Sequence, residues 1–146
     1  MAAVMQVQPG HSVGDIHIGM LRKDAERYLS HAVYRFQVEY EQDKVSFVEI
    51  NAEAGLSCKY EDIDVFQIKA AQLVEQLDVI SPYDRLQSDG CMYRFPQLGL
   101  VLWRDLNLTE EDMEQPWFQE MPVENQEDTM RSLYFATAGV FAPENR

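Results

Sequence analysis

Histidine, cysteine and basic residues are all scarce in this chain, and each shortage narrows what it can do. There are three histidines, His11, His17 and His31, and two cysteines, Cys58 and Cys91. None of these falls in an H-x-x-x-H, C-x-x-C or mixed Cys/His pattern, so no metal site and no cofactor is expected. His17 alternates with Ile16 and Ile18 in a short extended piece. His31 follows a helical stripe, where a cation suits the negative end of the helix. Two cysteines are too few for the disulfide framework of a small secreted domain. Cys58 shares an alternating face with Leu56 and Tyr60, which predicts a buried free thiol, with a Cys58–Cys91 bridge as the alternative. The first ten residues carry no Lys or Arg and no apolar run, unlike a secretory signal. No window of about 18 apolar residues occurs that would span a bilayer. Together these features predict a cytoplasmic protein.

Catalytic signatures are missing as well. There is no G-x-S-x-G elbow, and Ser57 lies beside Cys58 in an extended run that does not make one. Gly14 and Gly19 do not form a phosphate loop, and no G-K-[ST] follows them. The clusters Glu61-Asp62-Ile63-Asp64 and Glu110-Glu111-Asp112 place carboxylates close together, but read more simply as exposed polar edges. Neither has the alternating ligands and central glycine of a calcium loop. Twelve basic residues stand against 25 acidic ones, a net charge of −13. That balance disfavours nucleic acid and anionic membranes, and favours a basic protein partner.

What is present describes one ordinary domain. At 146 residues and 46% hydrophobic composition, the chain has the make-up of a folded protein. Scaling laws predict a folded surface of about 7,700 Å² and a core sufficient without metals or disulfides. Residues 1–13 read as a frayed or edge segment. Leu21, Ala25, Tyr28 and Leu29 make one helical stripe, and Phe66, Ala70, Leu73, Val74 and Leu77 a second. Tyr34, Phe36, Val38 and Tyr40 alternate with polar residues as a half-buried strand, which Glu41–Lys44 turns back into Val45–Ile50. Further strands are predicted at 56–60, 92–95, 100–103 and 133–141. Trp103 ends the 100–103 strand and is expected in the core. Apolar residues on both faces of Leu133–Phe141 predict an interior or partner-covered strand. The expected fold class is α+β: an antiparallel sheet of about six or seven strands with two helices on one face. A pseudo-repeat is predicted, with halves of about 14–60 and 61–104, followed by the segment 105–130 and the last strand.

Residues 105–130 hold nine acids and no base. Thr109 is placed to cap a short helix opening with Glu110, Glu111 and Asp112, with Leu108 and Met113 positioned as a hydrophobic staple and Pro116 limiting its length. Trp117 and Phe118 follow, outside any amphipathic pattern. They read either as interface anchors or as a lid folded onto the core.

Ile16-His17-Ile18-Gly19-Met20-Leu21-Arg22-Lys23-Asp24-Ala25 resembles the helix start of the tandem-repeat fold of beta-lactamase inhibitory protein and small outer-membrane assembly lipoproteins, with Leu21 where those families carry Ser or Thr. The resemblance implies helices on one face of an antiparallel sheet and a protein-binding function. In type, an acidic, motif-free α+β chain also resembles the immunity proteins of bacterial toxin systems.

The leading expectation is therefore a non-enzymatic protein-binding module, an immunity protein masking a basic toxin. Its contact residues would be Glu110, Glu111, Asp112, Glu114, Trp117 and Phe118. One alternative is a small enzyme or ligand binder with a pocket over the sheet using Tyr83, Arg85, Tyr93 and Arg104. Another is a structural homo-oligomer, such as a homodimer, with Leu133–Phe141 at the interface.

Overall fold

A computed structural model describes residues 3–144. The chain is α+β, and its strands are shared between two five-stranded sheets rather than gathered in one sheet of six or seven. The first sheet runs β3 (Ile16–His17), β2 (Ser12–Val13), β1 (Ala3–Gln8), β6 (Leu56–Tyr60), β7 (Ile63–Asp64). The second runs β4 (Phe36–Glu41), β5 (Lys44–Asn51), β10 (Thr137–Phe141), β9 (Leu100–Trp103), β8 (Met92–Phe95). Every pairing is antiparallel except β1 with β6.

The N-terminal segment is not a frayed edge. β1 lies between β2 and β6, and Val7 and Val13 are buried. Its parallel partner is some fifty residues away, so local pattern carries no trace of the pairing. Met1 and Ala2, part of the same expectation, lie outside the described residues.

Hairpin chemistry accounts for the second sheet. Gln42 and Asp43 both have positive φ, 53° and 61°, the geometry of a two-residue type I′ turn joining β4 to β5. β8 and β9 form the other hairpin through Pro96–Gly99. β10 fills the gap between the hairpins, paired with β5 on one side and β9 on the other. It begins at Thr137; Arg131–Leu133 is a 3-10 turn instead of strand. Both edges of β10 are hydrogen-bonded, which leaves no free edge there for a second copy.

α1 (Arg22–Leu29) starts without a side-chain cap, since Leu21 has no acceptor to offer. The backbone supplies the missing partners from the hairpin. Arg22 N–H donates to Asp43 O at 2.8 Å, Gly19 N–H to Val45 O at 2.8 Å, and Val45 N–H to Met20 O at 2.8 Å. α2 (Ala70–Ile80) begins four residues later than its stripe, because Asp64 organises a turn first. Asp64 Oδ1 accepts from Phe66 N–H at 3.1 Å, and its carbonyl accepts from Gln67 and Ile68. Ala70, Leu73, Val74 and Leu77 are buried together with Phe66. Two short helices, α3 (Pro116–Gln119) and α4 (Val123–Met130), follow β9.

The core is continuous from Val7, Val13 and Ile16 of the first sheet through Val48, Ile50, Phe95, Leu100, Leu102 and Val140 of the second, and on to α2. Phe36 is half-buried on edge strand β4, against Tyr28 at 6.0 Å in an edge-on ring pair. Phe95 is enclosed completely. The folded surface is 9022 Å², larger than a compact chain of this mass would show. Phe95→Ala is expected to lower stability by about 3–5 kcal/mol in denaturant unfolding. Phe36→Ala should cost less, and Gln37→Ala, exposed on the same strand, under about 0.5 kcal/mol.

Candidate functional site: an acidic helical edge

Between β9 and β10 the chain leaves the sheet at Arg104 and returns at Ser132, and one side chain ties the two ends together. Arg104 is only 4% exposed. Its Nη1 donates to Leu108 O at 3.1 Å and Ser132 O at 3.0 Å, its Nε to Gly90 O at 2.9 Å, and its Nη2 to Asn107 Oδ1 at 2.9 Å. Gly90 allows this junction. Its φ is +91°, and a Cβ there would run into the Asn107 side chain that receives the Arg104 proton. Arg104 is thus a structural clamp, not a pocket group.

Within the loop the predicted cap is realised. Thr109 Oγ1 accepts from Asp112 N–H at 3.3 Å, and Asp112 Oδ2 accepts from Thr109 N–H at 2.9 Å, a reciprocal capping box. The helix it opens is a 3-10 turn, Glu110–Glu114. Pro116 then occupies the first turn of α3, where its missing N–H costs nothing. The Gln126 side-chain amide donates to the carbonyls of Phe118, Gln119 and Met121, closing the end of α3 against α4. α4 buries no residue, and without an apolar stripe it left no pattern to detect.

The six expected contact residues divide. Glu111 and Glu114 are exposed and make no ion pair among the described residues. Glu110 is exposed and paired with Lys69, whose pKa is raised by that hydrogen bond. Asp112 is half-buried in the capping box. Trp117 is 48% exposed, while Phe118 beside it is 5% exposed. Phe118 therefore folds onto the protein and cannot meet a partner, which corrects the expectation for that residue. It carries Trp117 on its back, the rings perpendicular with centroids 6.0 Å apart. Glu120, Glu124, Glu127 and Asp128 extend the acidic surface, and Arg131 lies near Asp128 at 3.6 Å.

The groups named for a sheet pocket do not converge on one. Tyr83 and Tyr93 meet edge-on at 5.1 Å, and Arg85 lies over Tyr83 at 3.7 Å. Arg85 also holds Asp78 through both carboxylate oxygens, at 2.7 and 2.8 Å, which lowers the Asp78 pKa. Arg104 is buried elsewhere on carbonyls. A groove of about 500 Å³ lies instead beside the base of the acidic loop, lined by Phe66, Gln67, Asp105, Arg131, Ser132 and Tyr134 among others. In the 61–64 acid cluster, Asp64 Oδ2 accepts a hydrogen bond from the Ser57 hydroxyl at 2.7 Å, and the residue serves as turn scaffold. Trp103, expected in the core, is 40% exposed. Leu100 and Leu102 point inward, so alternation sends Trp103 out.

Cys58 and Cys91 are free thiols. Burial, with Asp64 nearby, pushes Cys58 up to about 12. No helix among the described residues is long and apolar enough to cross a membrane. Compared with protein-family models, curated proteins and solved structures, the chain matches none.

Arg104→Met removes the donors and strands several buried carbonyls, so a loss of about 3 kcal/mol or more is expected in denaturant unfolding. Proteolysis within 105–130 should accelerate with it. Arg104→Lys should recover little, because one ammonium cannot span four acceptors. In a thiol titration of the native protein at mildly alkaline pH, Cys91 should react and Cys58 should not. Denaturation without reductant should bring the count to two, and a count of zero would mean that the two are bridged.

Proposed function

We propose that this chain is a non-enzymatic protein-binding module that masks a basic protein partner, in the manner of the immunity proteins of bacterial toxin systems. The observation that carries the reading is the acidic helical edge: exposed carboxylates spread over a loop that Arg104 clamps at both ends, with Trp117 raised among them on a buried Phe118. A negative field of this kind speeds encounter with a basic surface. An exposed tryptophan held rigid by packing supplies the short-range anchor that field alone lacks. The net charge of −13 opposes nucleic acid and anionic membrane as partners. Two free thiols fit a reducing, cytoplasmic setting.

The product of the adjacent gene, purified and titrated against the chain, is the natural first probe. Glu111, Glu114 and Glu124 make no local bond or ion pair among the described residues. Reversing all three to Lys should lower the melting temperature only slightly, since Glu111 and Glu124 stand in helix first turns, while slowing association by about tenfold at low salt and flattening its salt dependence. Trp117→Ala should act on dissociation instead, by about 2 kcal/mol. An association rate indifferent to the triple reversal would remove this edge as the docking surface.

A further inference from the structure

The second sheet has one face in the core and one outside it. Along β5, β10 and β9 the inward residues are Val48, Ile50, Ala138, Val140, Leu100 and Leu102, all fully buried. Strict alternation sends Phe47, Glu49, Gly139, Phe141, Val101 and Trp103 to the opposite face. None of these six belongs to the core or packs against it. The pairing places Phe47 opposite Phe141, and Val101 opposite Gly139. The Phe47 ring leans over Gly139, where a Cβ would sit 2.7 Å from it. A row of large apolar side chains, half-buried at Phe47, Val101 and Phe141 and 40% exposed at Trp103, thus runs across the middle of the sheet. Surface of this composition in a folded chain marks a contact site.

Charge says what kind of contact. Glu49 stands in this row, half-buried, and its carboxylate receives one hydrogen bond, from Thr137 Oγ1 at 3.2 Å. Among the described residues no cation pairs with it or with neighbouring Glu39. Arg94, on the β8 side of this face, is already taken by Glu144 at 2.6 Å and lies over the Phe141 ring at 4.3 Å. A carboxylate partly withdrawn from water without a counter-charge is a costly arrangement unless another molecule completes it. A second copy of this chain would bring a further −13 of like charge.

We propose that the outer face of this sheet is a second docking surface, occupied by a protein segment that sets a Lys or Arg on Glu49 between apolar residues resting on Phe47, Val101 and Trp103. It shares the basic-partner chemistry of the functional reading but uses a different face, so the two can fail separately. The chain's two tryptophans make this measurable, since Trp103 lies on the sheet face and Trp117 on the acidic edge.

The full chain, ¹⁵N-labelled, is titrated with a short synthetic peptide of alternating Leu and Lys, and with Leu–Glu and Ser–Lys counterparts. The Leu–Lys peptide should move the Trp103 indole resonance and the amides of Glu49, Val101 and Gly139, while the two counterparts leave them in place. Trp103→Ala should weaken the Leu–Lys peptide at least about tenfold, and Glu49→Gln about fivefold. The Glu49→Gln variant carries its own fold control. Burial holds the Glu49 carboxyl above its ordinary pKa, against the Thr137 hydrogen bond. The folded chain therefore binds that proton more tightly than the unfolded one, and ionisation at neutral pH works against folding. Glu49→Gln should melt no lower than the parent at neutral pH, and its advantage should vanish at acid pH. Shifts confined to Trp117 and the acidic edge, or peptide affinity indifferent to both variants, would overturn the proposal. So would a chain that sediments as a dimer and becomes monomeric on Trp103→Asp, since a second copy would then be the occupant.

Discussion

A buried guanidinium with no carboxylate in ion-pair range among the described residues holds the functional part of this molecule in place. Arg104 draws together the loop before β8, the turn that leaves β9 and the 3-10 turn that precedes β10. Its planar fork suits that task, because neutral oxygens arrive from several directions and each receives its own N–H. Carbonyl dipoles stabilise the charge without a negative partner, so the surrounding acids remain outside, facing water. The clamp thus separates structure from surface chemistry: one cation inside, many carboxylates out.

That separation explains how a segment with almost no core of its own keeps a shape. Leu108 and Phe118 are its buried contacts, α4 buries nothing, and the rest of its order comes from hydrogen bonds. The capping box spends Asp112 on the backbone, and Gln126 closes α3. What remains exposed is of one charge sign. Preorganised charge of this sort favours rapid encounter, and the Trp117–Phe118 pair shows how one aromatic can anchor inward so that its neighbour is presented outward.

The second sheet shows the same economy on a larger scale. β10 joins two hairpins that the chain builds far apart, and its arrival creates both a buried face and an open one. With both edges of β10 already bonded, a partner that meets this strand must approach its face and not its edge. Gly139 at the centre lets Phe47 lie flat across the strand, so the open face presents aromatic surface around a single carboxylate.

Much of this was legible in the residues themselves. Alternation gave β4, β5, β8 and β9 nearly to the residue, two helical stripes gave α1 and α2, and Thr109 announced the cap, while its reciprocal partner Asp112 emerged only in the structure. These signals are local: a side chain's neighbours along the chain determine its face, its turn or its partner. The acidity of 105–130 was equally plain, and so was Trp117 as a residue without a core pattern. Tertiary structure decided the rest. The parallel pairing of β1 with β6, the division into two sheets and the central place of β10 depend on partners tens of residues distant. The fate of Phe118 beside Trp117, the exposure of Trp103 and the burial of Arg104 followed from which face each neighbouring element happened to cover. No spacing rule encodes that, because burial is a property of the assembled surfaces and not of the residue that is buried.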